Sequence, residues 1–309
     1  MKKYFLQMGS FFLFLIVFVG ILSAINYQLI QKYILSPQNF KLQEDVSILM
    51  IGDSHLGLSL NPEYIPNSDN KFQIGEPYLY TAARLNYFLE YNPQIKKVVL
   101  GFTYSNLDKK KDEELLYNDV SRSFFLGRNF MLLNKDDLKL LHDNKIVYYR
   151  NFLGWKLGVP TKDNVSFLIK AIKPSSNRNE LPFRGSFFAA QSIGGLDYQK
   201  EFQLHFSDTF ESSAEINKQY LYYITKLCKE KDVELILYAS PLYAPYQNLI
   251  SNKCIEEYNR IKDDLAIQGV QSWNYTTYNL SDSCFSSANH LNVYGSKIIS
   301  EIVAKRLQE

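Results

Sequence analysis

Residues 46–51 read VSILMI and are followed directly by Gly52-Asp53-Ser54-His55. All of these six residues except Ser47 are apolar, which is typical of a strand buried on both faces of a parallel sheet. Gly52 ends the strand in a turn, and a serine at such a strand-to-helix turn lies at the carboxyl edge of the sheet. The stretch therefore predicts an α/β fold with the Ser54 hydroxyl directed into a cleft.

The chain beyond this stretch alternates between short apolar runs and amphipathic segments. Further strands are predicted at 72–74, 98–100, 233–238 and 270–273, and helices at 78–91, 136–141, 165–172, 214–231 and 246–265. Asn292 is the predicted N-cap of a last helix. This alternation predicts a parallel sheet with helices on both faces, a three-layer α/β architecture. Residues 102–212 fit the pattern poorly and are interpreted as a mixed insertion within one domain at 44–309.

The N-terminus predicts a membrane anchor. Lys2 and Lys3 precede an apolar stretch that ends at Ala24. About 20 mostly apolar residues are enough to cross a hydrocarbon core of roughly 30 Å as a helix. A cleaved signal peptide is the alternative, but the long apolar region and the large Leu22 before the possible cleavage site favour an uncleaved signal anchor.

This interpretation sets the expected location of the rest of the chain. Positive charge stays on the cytoplasmic side, so residues 1–25 would form a single-pass transmembrane helix in the cytoplasmic membrane. Residues 26–43 are interpreted as a stalk, and the C-terminal domain is expected to be extracytoplasmic. In that compartment a disulfide between Cys254 and Cys284 is one possibility.

Composition excludes several classes of protein. With 46% hydrophobic and 21% charged residues, the 309-residue chain has the balance of a globular protein and not of a disordered one. The net charge of +2 gives no support for a nucleic-acid partner. Three cysteines without a CxxC pair, and the absence of phosphate-loop, HExxH or EF-hand spacing, predict neither a metal nor a cofactor.

A serine hydroxyl becomes a nucleophile only when a base accepts its proton. His290 is the candidate base, because Asn289-His290-Leu291-Asn292 precedes the last helix and so lies in a loop that could return to Ser54. His55 directly follows the serine and is interpreted as part of the cleft wall. His142 and His205 lie in the insertion and are expected at the surface.

Together these motifs resemble the SGNH/GDSL hydrolase superfamily. GDSH at 52–55 and HLN at 290–292 followed by Gly295 match the family in order and context. They look most like the extracytoplasmic branch of polysaccharide O-acetyl esterases and O-acetyltransferases. The resemblance implies that Ser54 is the acyl nucleophile and His290 its base. It also implies an oxyanion hole from the Ser54 amide, Gly75 and Asn106.

One position departs from the family pattern. The family usually has an aspartate three residues before the histidine, and this chain has Ser287. Loss of that orienting carboxylate can lower turnover by about 10⁴-fold. Either a backbone carbonyl or Asp282 supplies the missing partner, or the protein is a slow or inactive relative.

We therefore expect a flavodoxin-like, membrane-anchored α/β domain that acts on acyl esters of a cell-surface or exported polysaccharide through a Ser54 acyl-enzyme. The alternative from another class is an inactive SGNH-fold protein that binds or helps to assemble glycans. A lipolytic esterase is a third possibility, and it would require a long apolar groove for the acyl chain.

Overall fold

The computed structural model describes residues 2–116, 126–143, 145–172, 183–191, 197–207, 210 and 213–308. The chain divides into two compact units. The helical unit comprises Met1–Phe40 and Arg122–Arg184, and the sheet unit comprises Lys41–Ser121 and Gly185–Glu309. The segment Arg122–Arg184 of the helical unit lies within the predicted insertion at 102–212.

The sheet unit is built on five parallel strands. They are Ile48–Ile51 (β1), Ser68–Asn70 (β2), Lys97–Gly101 (β3), Glu234–Ala239 (β4) and Gln271–Asn274 (β5). Their order across the sheet is β2-β1-β3-β4-β5, and each neighbouring pair is parallel. Phe285–Ser287 (β6) and His290–Leu291 (β7) form a separate antiparallel pair. The predicted α/β class with a parallel sheet is confirmed.

Helices occupy most of the rest of the described chain. In chain order they are Lys2–Leu29 (α1), Ser54–Gly57 (α2), Tyr78–Tyr91 (α3), Lys110–Leu116 (α4), Lys135–Leu140 (α5), Lys145–Asn151 (α6), Lys162–Ile172 (α7), Tyr198–His205 (α8), Glu215–Glu230 (α9), Ala244–Gln247 (α10), Asn252–Ile267 (α11) and Val293–Gln308 (α12). The predicted helix at 78–91 is confirmed, and the predicted last helix begins as expected. The Asn292 side chain accepts hydrogen bonds from the amides of Tyr294 and Gly295.

One face of the sheet is covered by the last helix. Met50, Val99 and Ile236 are register partners on adjacent strands, so their side chains share a face. All three are fully buried and belong to a cluster that includes Ile299 and Val303 of α12. This packing fixes the edge of the sheet from which the turn at 52–55 leaves.

The second strand differs from its prediction. The sequence places it at 72–74, whereas β2 is Ser68–Asn70, a polar segment with no apolar pattern. The backbone continues alongside β1 beyond it, since the amides of Lys71 and Gln73 donate to the carbonyls of Met50 and Gly52. The predicted segment is therefore the irregular continuation of this strand.

The helical unit contains the N-terminal helix. Residues Lys3–Ile34 form one helical stretch of 32 residues, long and apolar enough to cross a membrane, a test that a signal sequence also passes. The first residues of the predicted stalk at 26–43 belong to this helical stretch. The helix continues through a π-helical turn at Ile30–Ile34, and both of these isoleucines are fully buried.

The three cysteines are free thiols, and all of them are buried. The disulfide that the sequence allowed between Cys254 and Cys284 is absent. Cys254 instead contacts the carbonyl of Tyr104.

Candidate functional site

The turn after β1 is held by close approach of two glycines. Gly52 has φ +142°, a conformation that favours glycine, and a Cβ there would lie 3.0 Å from the amide nitrogen of Gly101. A Cβ on Gly101 would lie 2.9 Å from the Cβ of Leu56. Because neither glycine has a side chain, α2 packs directly against the end of β3. Ser54 is the first residue of α2, and Asp53 is its N-cap.

The second half of the site comes from the hairpin that precedes α12. Strands β6 and β7 pair with an irregular register between Phe285 and Ser287. His290 is the register partner of Ser287, so the two residues lie side by side in the hairpin. The Asn292 amide group donates to the carbonyl of Ser283, so the hairpin is tied to the start of α12. These bonds fix the backbone on both sides of His290.

The structure brings the two predicted residues into contact. The Ser54 Oγ and the His290 Nε2 are 2.8 Å apart, a hydrogen-bond distance between residues that are 236 positions apart in the chain. This is the distance that a serine nucleophile and its general base require.

The other ring nitrogen of His290 begins a chain of hydrogen bonds. Its Nδ1 lies 3.0 Å from the Ser287 Oγ, and this hydroxyl donates to the Asn289 side-chain oxygen at 3.0 Å. The Asn289 amide group is 3.3 Å from the His55 Nε2, and the His55 Nδ1 is 3.2 Å from Asp53 Oδ1. Every bond has one donor and one acceptor when both histidines carry their proton on Nδ1.

We call this path from His290 to Asp53 the relay, defined by Ser287, Asn289, His55 and Asp53. Asp53, His55 and Asn289 are at most 3% exposed. The carboxylate at its end also accepts from the His55 amide and the Asn106 side chain, at 3.0 and 3.1 Å. The relay thus connects the candidate base to a buried acid along a continuous path.

The charges at the two ends of the relay follow from these contacts. Burial raises the pKa of Asp53, but the hydrogen bond from His55, the charge of Lys111 and the hydrogen bond from Asn106 outweigh that effect and leave the pKa well below its usual value. Burial lowers the pKa of His290 to about 3, with the charge of Asp53 opposing. Asp53 is therefore ionised and His290 neutral at pH 7, which is the state a general base needs.

Two side chains of α8 approach the same rings. His205 lies with its ring centre 5.4 Å from that of His55 and 6.3 Å from that of His290. Burial keeps the pKa of His205 well below its usual value, and the charge of Lys111 acts in the same direction. Glu201 has a buried Oε2 that makes no hydrogen bond, and burial raises its pKa against the opposing effect of the Ser287 hydroxyl.

The placement of His205 corrects its prediction as a surface residue. It is one helical turn from Glu201, so the two side chains share a face of α8, and this face is turned toward the site. A sequence signal existed in the aromatic and acidic residues at helical spacing from Tyr198 to Phe206. His142, by contrast, is exposed in the helical unit, as expected.

The remaining predicted residues lie as follows. Asp282 is exposed at the start of a short helical turn, and Ser287, not Asp282, occupies the Nδ1 side of His290. Asn106 is buried with its oxygen accepting from the Thr103 amide at 2.7 Å and its nitrogen donating to Asp53. Gly75 lies in a turn with φ +69° beyond Gln73. The oxyanion roles of Gly75 and Asn106 stay predictions.

Access to the serine is narrow. Ser54 is 5% exposed, so little of its surface is open to a substrate. Within the described parts of the chain, no group of three or more His, Cys, Asp or Glu side chains could hold a metal ion.

Comparisons of the whole chain with protein-family models and with curated proteins find no match.

Proposed function

We propose that the protein is a serine-dependent enzyme of acyl-ester chemistry, an O-acetyl esterase or O-acetyltransferase. The single observation that carries this proposal is the 2.8 Å contact between the Ser54 Oγ and the His290 Nε2. Its sequence basis is the resemblance of GDSH at 52–55 and HLN at 290–292 to the SGNH/GDSL superfamily.

In the proposed reaction Ser54 attacks the acyl carbonyl while its proton passes to His290 Nε2. The tetrahedral intermediate expels the alcohol, which takes that proton, and the acyl group stays on Ser54. His290 then accepts a proton from water or from a sugar hydroxyl, whose oxygen attacks the acyl-enzyme, and Ser54 regains its proton as it leaves. Water gives an esterase, and a sugar hydroxyl gives a transferase.

The relay fills the role of the aspartate that Ser287 replaces. A carboxylate beside the histidine fixes its tautomer and stabilises the imidazolium that forms in the transition state. Here the Nδ1 proton is accepted by the Ser287 hydroxyl, whose own proton is donated to Asn289. Because Asp53 is ionised, the order of donors and acceptors along the relay has a fixed direction.

The oxyanion would be held by the Ser54 amide at the start of α2, with Gly75 and Asn106 as the further donors. Such preorganised donors are typically worth about 3–4 kcal/mol of barrier each. One hydrogen of the Asn106 amide group is already given to Asp53, so only the other is available.

Fold and location support the same proposal. The strand order β2-β1-β3-β4-β5 is that of the flavodoxin-like doubly wound fold, in which ligands bind outside the carboxyl ends of the strands. The N-terminal helix, with Lys2 and Lys3 before it, supports an uncleaved anchor and an extracytoplasmic C-terminal domain. The substrate class that fits this location is an acetylated polysaccharide.

Two observations favour a second candidate, an inactive glycan-binding protein of the same fold. Ser54 is nearly buried, and among the residues that the structure describes no carboxylate touches His290 directly. This alternative retains the fold and the anchor but predicts no acyl transfer.

One experiment separates the two functions. The full chain in detergent micelles is incubated with an activated acetyl ester and, separately, with an acetylated oligosaccharide. We expect acetyl-ester cleavage that disappears in Ser54→Ala and persists in Ser283→Ala, which removes an exposed hydroxyl. Saccharide binding with no cleavage by the wild-type chain would support the second function and contradict the first. Esters of increasing acyl length test the lipolytic possibility, which requires faster cleavage of long chains.

A further inference from the structure

The helical unit exposes aliphatic side chains that a protein in water usually buries. Leu153, Leu157, Ile169 and Ile172 are 45%, 51%, 52% and 46% exposed. Leu153 and Leu157 belong to the turn that follows α6, and Ile169 and Ile172 belong to α7. We call these four residues the aliphatic patch.

The two elements that carry the patch are packed together. The Asn164 amide group of α7 donates to the carbonyls of Gly154 and Val159, at 2.8 and 2.9 Å. The rings of Trp155 and Phe167 are stacked with their centres 5.7 Å apart. The turn and α7 therefore form one structural piece, whose inner side is filled while these four aliphatic side chains lie at its surface.

This piece is attached to the end of the apolar N-terminal helix. The Asn26 amide group donates to the Gly158 carbonyl at 2.9 Å, and a Cβ on Gly158 would lie 2.3 Å from the carbonyl oxygen of Ser23. Gly158 has φ +72° and so suits glycine in conformation as well as in space. The turn thus contacts the helix backbone directly, one residue after Leu157.

The level of this contact along the helix is informative. An α-helix rises by about 1.5 Å per residue. The span from Tyr4 to Ser23 is therefore about as long as a hydrocarbon core is thick, roughly 30 Å. Before Ser23 its apolar side chains are exposed, for example Phe14 at 67%. The contact with Gly158 therefore lies where a crossing helix would leave the hydrocarbon and enter the headgroup region.

The charge of the segment suits the same surface. Residues 126–172 contain eight basic and four acidic side chains, whereas the whole chain is nearly neutral at +2. Lys162 and Lys170 are exposed on α7, beside the aliphatic residues. Basic and aliphatic side chains together are typical of segments that lie in the interface of an anionic membrane.

We propose that the aliphatic patch lies in the headgroup and acyl boundary of the bilayer that α1 crosses, so that the helical unit rests on the membrane surface. This inference rests on the proposed anchor but not on the proposed chemistry. The occupant of the patch is lipid, and the patch holds the helical unit at the interface through side chains that are not part of α1.

The test measures depth by spin labelling of the full chain in nanodiscs that contain anionic lipid. Leu157→Cys and Leu153→Cys carry the label, Phe14→Cys is the reference within the helix, and Ile267→Cys is the aqueous reference at 88% exposure in the sheet unit. The unsubstituted chain gives the background from its three buried thiols. For each label, its collision rate with oxygen is compared with that of a water-soluble nickel complex.

We expect labels at 153 and 157 to favour oxygen over the nickel complex several-fold more than the label at 267, and less than the label at 14. Values at 153 and 157 equal to those at 267, with 14 in lipid, would overturn the surface contact and leave the anchor standing. Aqueous values at all positions would overturn both. Neither result bears on the chemistry of Ser54, which the ester assay measures separately.

Discussion

The two units of this protein differ in which side chains they bury and which they expose. The sheet unit buries Asp53, His55 and Asn289 almost completely and satisfies them with one another, while the helical unit leaves four aliphatic side chains about half exposed. Burying polar groups costs free energy unless hydrogen bonds compensate it, and exposing large apolar groups forgoes the gain from burial. The exposed aliphatic groups therefore contribute less to stability than they could, whereas the buried polar groups depend on their hydrogen bonds. Each feature lies where a role has been proposed for its unit.

The largest expected effect tests whether the buried polar cluster is catalytic. His290→Gln removes the base but keeps a polar side chain of similar length. We expect kcat for acetyl-ester cleavage to fall by roughly 10⁴-fold or more, as when a base is removed from a serine triad.

The matched control is His142→Gln, which changes an exposed histidine of the helical unit. It should leave the rate unchanged. Equal rates for the two variants would contradict the proposal, because His290 would then have no chemical role that the exposed His142 lacks.

The next effect concerns the relay. Asn289→Leu keeps the volume of the side chain but breaks both the bond from Ser287 and the bond to His55. A lost buried hydrogen bond with an unsatisfied partner costs about 1–3 kcal/mol, so we expect kcat to fall about 5- to 150-fold. The pH–rate profile should shift as well, because the orientation of the His290 proton is no longer fixed.

Ser287→Asp makes this test specific. It places a carboxylate directly at His290 Nδ1, so in that background Asn289→Leu should cost little. An equal loss in both backgrounds would show that Asn289 only supports the fold near the hairpin, and thermal unfolding of each variant measures that contribution.

A smaller effect compares how tightly the two units are packed. Gly101→Ala forces a Cβ to within 2.9 Å of Leu56, and overpacking of this kind costs about 1–3 kcal/mol of unfolding free energy. Gly127→Ala in the helical unit meets only the Asn151 oxygen at 3.9 Å and replaces a helical glycine. We expect it to be neutral or to stabilise by up to about 1 kcal/mol. Denaturant unfolding gives the change in unfolding free energy for both variants. Changes of the same sign would contradict the expected difference in packing between the two units.

The smallest effect is the dependence of stability on pH. The pKa of His290 is lowered from its usual value to about 3 by burial, so the unfolded chain binds a proton that the folded chain refuses. Stability should therefore fall as pH decreases from 6.5 toward 3 and be unaffected by this group above 6.5. His290→Gln removes this contribution, so the melting temperature of the variant should change less between pH 7 and 4.5 than that of the wild-type chain. An equal change in both chains would contradict the lowered pKa.

The sequence predicts those features that depend on neighbouring residues. Apolar runs followed by glycine identify β1 and β3, and GDSH and HLN at two chain positions identify the pair that meets at 2.8 Å. The strand Ser68–Asn70 was not predicted, because a polar edge strand has no hydrophobic pattern. The relay escaped because the contact between Asn289 and His55 joins residues 234 positions apart, and no local pattern specifies which loops pack together.

The position of α8 has the same explanation. Its sequence indicates a helix with one acidic and one basic side chain on a face, which most often points to solvent. Only the packing of aromatic rings from Phe202 and Phe206 near Tyr246 brings that face to the histidines. The sequence shows that Ser287 departs from the family pattern. It does not show that the Ser287 hydroxyl links His290 to Asn289, because these contacts depend on the fold.

Asp53, Ser54 and His55 are consecutive, so one tripeptide carries the proposed nucleophile and the last two members of the relay. A rotation of this peptide that turns the Ser54 hydroxyl away from His290 also breaks the hydrogen bonds that His55 and Asp53 make in the relay. Small backbone disturbances here should therefore produce molecules that are either fully competent or silent, with few of intermediate speed. Heterogeneous samples would then differ in the fraction of competent molecules and share one Michaelis constant.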